Sequence, residues 1–248
     1  MITFVTWKWQ TANSPRVFRS KHVNVVYAMV ARWYSEPFRF ICITDDSSGL
    51  DERIEVLNLN ARPNCPTFDG IDNPSGARFP NCYRRLWNFS REAKMLGERI
   101  FCLDIDVIIT GDLAPLIDRD EDFVGWCDSG RFKNADGSVQ NKIAGGAYLL
   151  RTGSMPHIWE EFDPKRSPRE ALQAGNGGSD QGWMSYKLYP PPGQWNGKDG
   201  LVKLNWTPTG ARKPPKQARM VFTSGINPPW CKETRNKYPW IREWWRNK

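Results

Sequence analysis

Between Arg99 and Leu113 the chain reads Arg-Ile-Phe-Cys-Leu-Asp-Ile-Asp-Val-Ile-Ile-Thr-Gly-Asp-Leu, and no other stretch constrains the fold as tightly. Ile100 to Leu103 is a short apolar run rich in strand formers, which suits a strand covered on both faces, and Thr110-Gly111-Asp112 closes the segment as a turn. Asp104 and Asp106 then stand at the exit of a buried strand. Side chains two apart on a strand point the same way, with Cα atoms about 7 Å apart, so both carboxylates would face one site. Two anions held that close need a partner, because repulsion and partial burial would otherwise force one to protonate. A hard divalent cation, Mg2+ or Mn2+, takes oxygen ligands and bridges carboxylates to phosphates. Such an ion would stabilise charge gathering on a diphosphate leaving group. The competing reading makes Asp-x-Asp a turn and helix cap whose carboxylates accept backbone N–H bonds.

The surrounding pattern is α/β. Ile2 to Thr6 is a β-type run that empties into Trp7-Lys8-Trp9 and a polar stretch, and Val25, Val26, Met29, Val30 and Trp33 recur at helical spacing between His22 and Tyr34. Phe38 to Thr44 makes a second strand ending in Asp45-Asp46. Strand, helix, strand at this spacing implies a parallel sheet with a right-handed crossover, and ligands collect beyond the carboxyl ends of such strands. Trp7, Lys8, Asp45 and the Asp104/Asp106 pair all fall at such ends.

Ile54 to Leu59 alternates like a third strand with Ile54, Val56 and Leu57 inward, and Asn60 to Asn81 is a long loop of the kind that often carries function. Tyr83 to Leu96 has Leu86, Phe89, Ala93 and Leu96 at helical spacing; Arg84, Arg85, Arg91 and Lys94 ride on it as a mainly solvated face, from which Arg85 is singled out as a phosphate contact. Phe123 to Cys127 and Ala144 to Leu150 read as further strands. The second opens on Gly145-Gly146, which permits either close approach of a ligand or a bulge. Met155 to Phe162 reads as a short helix, and Ser179 opens another, Gln181 to Leu188, as an N-cap would, so Asp180 has a purely structural reading as a helix-start residue. Beyond Pro192 the chain reads as loop until a last strand from Ala218 to Thr223.

At 248 residues the chain can form one substantial α/β core, expected over 1–220, with a trailing segment 221–248 that packs on or closes the site. Hydrophobic residues at 40% and charged residues at 25% are those of a globular protein, and no apolar run approaches the roughly 18 residues of a membrane span. The start of the chain lacks signal-peptide features, so the expected location is cytoplasmic. Six cysteines without a Cys-x-x-Cys, three of them in apolar runs, suit buried thiols better than zinc or a disulfide framework. A net charge of +8 points to an anionic partner, and thirteen tryptophans serve either stacking on sugars or bases or plain core packing.

These residues resemble the GT-A-fold glycosyltransferases, in particular the family-8-like group of bacterial and phage enzymes. The resemblance rests on Val5 to Trp9, Phe38 to Asp46, Tyr83 to Leu86, Phe101 to Ile109 with Gly111-Asp112-Leu113, Ser179-Asp180-Gln181, and Val221 to Gly225 with Pro228-Pro229-Trp230, in that order along nearly the whole chain. It implies a single domain with a central, mostly parallel twisted sheet flanked by helices. It also implies a metal-dependent transfer of sugar from a nucleotide sugar, UDP-linked by preference, to a hydroxyl acceptor with retention of configuration. Asp106 would ligate Mn2+ or Mg2+ directly, with Asp104 reaching the metal or the donor ribose. Thr6, Trp7, Lys8 and Asp45 would lie around the nucleotide, Arg85 near the donor, Gly145 and Gly146 along the sugar pocket, and Asp180 and Gln181 against the transferred sugar. Such enzymes often carry a metal-ligating His and a diphosphate-binding Lys near the end; Phe222 to Trp230 has neither, so Thr223, Ser224 or water completes the shell or the metal is held weakly. The acceptor is a glycan or a modified base in nucleic acid. The alternative from a different class is a non-catalytic basic protein that binds nucleic acid through phosphate contacts and tryptophan stacking between Lys213 and Lys248.

Overall fold

The computed structural model describes residues 1–9, 18–59, 80–127, 142–177, 179–223 and 227–247. The long loop expected from residue 60 onward and Ser224 lie outside them, apart from the loop's last two residues. Strands β1 (Ile2–Lys8), β2 (Phe38–Thr44), β3 (Glu55–Asn58), β4 (Arg99–Leu103), β6 (Phe123–Trp126), β7 (Ala144–Arg151) and β8 (Gly193–Trp195) form one sheet in the order β3-β2-β1-β4-β7-β6-β8. All its pairings are parallel except those made by β7, which runs against β4 and β6. Helix α1 (Ser20–Trp33) joins β1 to β2 and buries Val23, Val26, Met29 and Val30. The β-α-β unit and the mixed α/β class therefore stand as the sequence predicts.

A second, small sheet has the order β5-β10-β9, from β5 (Val107–Ile109), β9 (Leu201–Lys203) and β10 (Met220–Phe222). It was not foreseen: three-residue strands are too short to show period-two alternation, so 193–217 reads as loop although it holds β8 and β9. Strand β10 also straddles the expected boundary at residue 220.

Two other expectations change. Tyr83 to Leu96 is not one α-helix but two 3-10 segments, Pro80–Phe89 and Arg91–Leu96, separated by Ser90 in an extended conformation, whose Oγ accepts from Ala93 N–H at 3.2 Å. The apolar spacing of three, Leu86 to Phe89 and Ala93 to Leu96, fits a 3-10 repeat as well as an α-helix. That turn also buries Arg84 and most of Arg85 instead of leaving them on a solvated face. Val56 points outward at 46% exposure, because β3 is the sheet's edge and only part of it is covered.

The main sheet separates two cores. One gathers Phe4, Phe40, Phe101, Val26 and Met29 with the small sheet and the end of the chain; the other gathers Trp7, Trp87, Phe89, Tyr148 and Trp183. The five described cysteines are free thiols, and burial pushes those of Cys42 and Cys102 up to about 12. No helix among the described residues is long and apolar enough to cross a membrane.

Candidate active site

Strand β1 is the first laid down, β2 and β3 extend to one side of it, and β4 pairs on the other. The strand order reverses between β1 and β4, the position at whose carboxyl ends open α/β sheets form their ligand crevice. Thr6 and Leu103 are register partners there, and Thr6 Oγ1 donates to the Leu103 carbonyl at 3.0 Å. The chain leaves β4 at Asp104, whose N–H donates to the Gly146 carbonyl at 2.9 Å, turns through Ile105 and Asp106, and enters β5 of the second sheet. The two carboxylates thus belong to the turn joining the sheets and not to the strand itself. Ile105 is buried in the first core and anchors that turn.

Arg85 joins this turn to another part of the chain. Its Nη1 donates to Asp104 Oδ1, its Nε to Asp180 Oδ2 at 2.8 Å and its Nη2 to Asp180 Oδ1 at 3.1 Å. Asp104 therefore pairs with a guanidinium and caps no helix; the cap in this region is Asp112, whose Oδ1 accepts from Ala114 N–H at 2.9 Å. Asp180 opens helix α5 (Asp180–Leu188) and is 1% exposed, while the Asp104 side chain is 33% exposed. Burial pushes the Asp180 carboxyl above the ordinary carboxylate range against the opposing pull of Arg85. Burial likewise works against the charge on Arg85, and the Asp104 and Asp180 carboxylates more than offset it, holding the guanidinium well above its usual value. A planar fork can satisfy two carboxylates at once, which a lysine ammonium cannot do with the same fixed geometry.

Gln181 follows Asp180 and accepts the Gly145 N–H on Oε1 at 3.1 Å. A Cβ on Gly145 would stand 3.1 Å from Gln181 Cβ and 3.3 Å from Arg85 Nη2; one on Gly146 would stand 2.9 Å from Phe222 Cδ1 and 3.3 Å from Asp104 Oδ2. The paired glycines let β7 come close to the side chains of Arg85, Gln181, Asp104 and Phe222. Thr223 Oγ1 donates to the Asp106 carbonyl at 2.7 Å and so ties the end of β10 to the same turn.

The residues expected around the nucleotide are placed at the carboxyl ends of β1 and β2. Trp7 is packed in the second core and donates from Nε1 to Asn88 Oδ1 at 3.2 Å; Lys8 is 2% exposed with its Nζ 3.9 Å from Asp46 Oδ2; Asp45 is half-buried. Three residues were not singled out from the sequence. Phe222 packs over Gly146, Asp46 faces Lys8, and Asn88 lies wholly buried beneath the site. Asn88 donates to Tyr148 Oη at 2.7 Å and Cys102 Sγ at 3.4 Å while accepting from Trp7. An amide placed among Leu86, Trp87 and Phe89 was the signal that could have revealed it.

Asp104, Asp106 and Asp180 outnumber the Arg85 charge among them, so the turn carries surplus negative charge. Among the described residues no group of three or more His, Cys, Asp or Glu could hold a metal ion. His157 lies on the surface, and His22 stacks on Trp230 at 4.0 Å. Two carboxylates with only oxygen donors fit Mg2+ or Mn2+, which take one or two carboxylates and complete their shell with water and substrate phosphate.

No protein-family model matches the sequence, and no curated protein is similar to it by sequence. Similarity appears in three dimensions. The galactosyltransferase LgtC, solved with donor and acceptor sugar analogues, superposes with a TM-score of 0.61 at 15% identity over 94% of this chain and 91% of that one. The glycosyltransferase GlyE of Streptococcus pneumoniae TIGR4 gives 0.55 at 11% identity over 93% of this chain and 56% of that one. The bifunctional glycosyltransferase WbbM gives 0.55 at 13% identity over all of this chain and 51% of that one. The crevice at the end of β4 is thus set in a GT-A fold, the architecture this chain shares with those glycosyltransferases.

Proposed function

We propose that the chain is a nucleotide-sugar-dependent glycosyltransferase, transferring a sugar with retention from a UDP-sugar to a hydroxyl acceptor on a glycan or a nucleic acid. The observation that carries this reading is the Arg85 bridge between Asp104 and Asp180, placed where the strand order of a GT-A sheet reverses. Asp106 and Asp104 would hold Mn2+ or Mg2+, and when bound the ion would offset the charge of the departing nucleoside diphosphate.

The protein's own groups have distinct tasks in this reading. Asp180 fixes the guanidinium of Arg85 through two hydrogen bonds, so that its orientation costs nothing when substrate arrives. Gln181 has its carbonyl engaged by Gly145 N–H and offers its amide NH2 to a sugar hydroxyl. An active-site glutamine mutant of LgtC has been solved, which agrees with a glutamine near the chemistry on this fold. Gly145 and Gly146 keep the wall of the sugar pocket thin. Thr6, Trp7, Lys8 and Asp45 border the nucleotide, and Thr223 closes the pocket as part of the trailing segment 221–248.

A panel of nucleotide sugars in a thermal-shift assay, with and without Mn2+, tests the reading. A UDP-sugar is expected to raise the melting temperature only when Mn2+ is present and to release UDP slowly in the absence of acceptor. Asp106→Asn should abolish both. If no donor shifts the melting temperature and none is hydrolysed, the chain is not a glycosyltransferase.

A further inference from the structure

The chain's positive charge is confined to one end. Residues 1–202 carry 24 Lys and Arg against 25 Asp and Glu, whereas residues 203–248 carry 11 against two. Elsewhere several cations are paired with carboxylates, as Arg39 with Glu55, Arg53 with Asp51, Arg119 with Glu121 and Arg151 with Glu98 and Asp122. Between residues 227 and 247, no Lys or Arg is ion-paired with a carboxylate among the described residues.

Helices α6 (Lys232–Lys237) and α7 (Ile241–Trp244) bring these cations onto α1. His22 at one end of α1 stacks on Trp230 at 4.0 Å, and Trp33 at its other end stacks on Trp244 at 5.6 Å. Burial is the main cause that lowers the pKa of His22, Arg32 and Arg235, and neighbouring cations add to it: Lys21, Arg19 and Arg235 at His22, Arg246 at Arg32 and Arg242 at Arg235. The result is a band of like charge running the length of α1, about 20 Å for its 14 residues. Arg19, Lys21, Lys232, Lys237, Arg242 and Arg246 are exposed along it. The aromatic residues of the same segment are less so: Tyr238, Trp240 and Trp245 are buried, Trp230 and Trp244 are half-buried under their stacking on His22 and Trp33, and none of the exposed large hydrophobic residues lies there among the described residues. Stacking on single-stranded bases and insertion into a bilayer interface both need exposed aromatic or apolar side chains, so this band is poorly suited to either. Its main feature is charge, six exposed Lys and Arg against the exposed Glu233 and Glu243, and surplus cations are the complement of a phosphate backbone.

We propose that α1 and residues 227–247 form a docking face for the phosphate backbone of duplex DNA. The face is tied to the candidate active site through buried β5, which begins one residue after Asp106 and packs against both α1 and α7. It would hold a polymeric acceptor near the transferred sugar; that use rests on the transferase reading, while the binding itself does not.

The test is fluorescence anisotropy with an unmodified duplex of roughly 30 base pairs, with salt varied between about 50 and 200 mM and no donor present. Log affinity is expected to fall against log salt with a slope of about −4 to −6. The triple variant Lys237→Gln, Arg242→Gln, Arg246→Gln should weaken binding on every sequence and reduce the slope by about 3. Absence of binding at low salt, or binding unaltered in the triple variant, overturns the proposal. Tighter capture by phosphatidylglycerol vesicles than by the duplex also overturns it, in favour of a membrane surface. The UDP-sugar thermal shift, run on the same variant, keeps the two proposals apart: if it persists while DNA affinity is lost or was never present, the transferase reading stands independently.

Discussion

Taking the guanidinium away from Arg85 would leave the Asp180 carboxylate buried with no charge opposite it. Arg85→Met is therefore expected to lower stability by about 3 to 5 kcal/mol in urea unfolding near neutral pH, the usual cost of stripping one partner from a buried pair. The pH dependence has a definite sign. Burial already raises the folded-state pKa of Asp180 above its unfolded value, so the folded state takes up this proton more readily than the unfolded one. The carboxyl thus favours folding as pH falls through the acid range, and without Arg85 that contribution grows. The deficit of the variant should be smaller in mild acid than at neutrality; a deficit independent of pH would mean that Asp180 is not the group left exposed to desolvation. At this scale the sequence named both ends of the bridge as candidates without joining them. Arg85 and Asp180 are 95 residues apart, and no local pattern reports such a pairing.

Among elements, the packing of the chain's end on α1 and the closeness of β7 to β4 each yield a prediction. The Nδ1 of His22 accepts the Arg19 N–H at 3.2 Å, which a protonated Nδ1 could not do, and burial lowers its pKa from 6.5 to about 4. A histidine kept neutral in the fold but free to protonate when unfolded stabilises the protein above the unfolded pKa, and that stability is lost as pH falls through it. The loss should develop between about pH 6.5 and 4 and amount to the order of 2 to 3 kcal/mol, and His22→Phe should remove this part of the pH dependence. In the sheet, Gly146→Ala would drive a methyl to 2.9 Å from Phe222 and 3.3 Å from Asp104 Oδ2. Overpacking of this kind typically costs about 1 to 3 kcal/mol, and it should weaken donor binding as well because Asp104 must move. A Gly146→Ala variant that melts and binds UDP-sugar like the parent would show that Phe222 can move aside. The long strands and α1 were legible because each repeats its apolar period over seven or more residues. The second sheet was not, because three-residue strands carry no period, and the broken 3-10 segment was misread because a spacing of three suits both helix types.

For the whole molecule, stability and ligand binding are linked. A UDP-sugar with Mn2+ at about 100 times its dissociation constant should add about 2.7 kcal/mol, seen as a rise of about 5 to 11 °C in the melting temperature of a domain of this size. Chelation of the metal should abolish that rise, as should Asp106→Asn. A rise that survives both would place the donor on Arg85 and Lys8 alone, with no cation between it and the aspartates. The charge asymmetry belongs to this scale too. Net charge taken over the chain suggested an anionic partner without saying where it binds, whereas the fold gathers cations along one helix and buries Trp240 and Trp245 beneath them.

The amino-acid pattern alone determined the β-α-β beginning and the strand that leads into Asp104, because each is written in a local repeat or a strand terminus, and it offered the residues near the crevice only as candidates. Only the tertiary structure decided that Asp104 and Asp106 lie in a turn between two sheets, that Arg85 ties Asp104 to Asp180, and that α6 and α7 bring their cations onto α1. Those features depend on contacts between segments far apart in the chain, and their cost or benefit is set by burial, which exists only once the chain has folded.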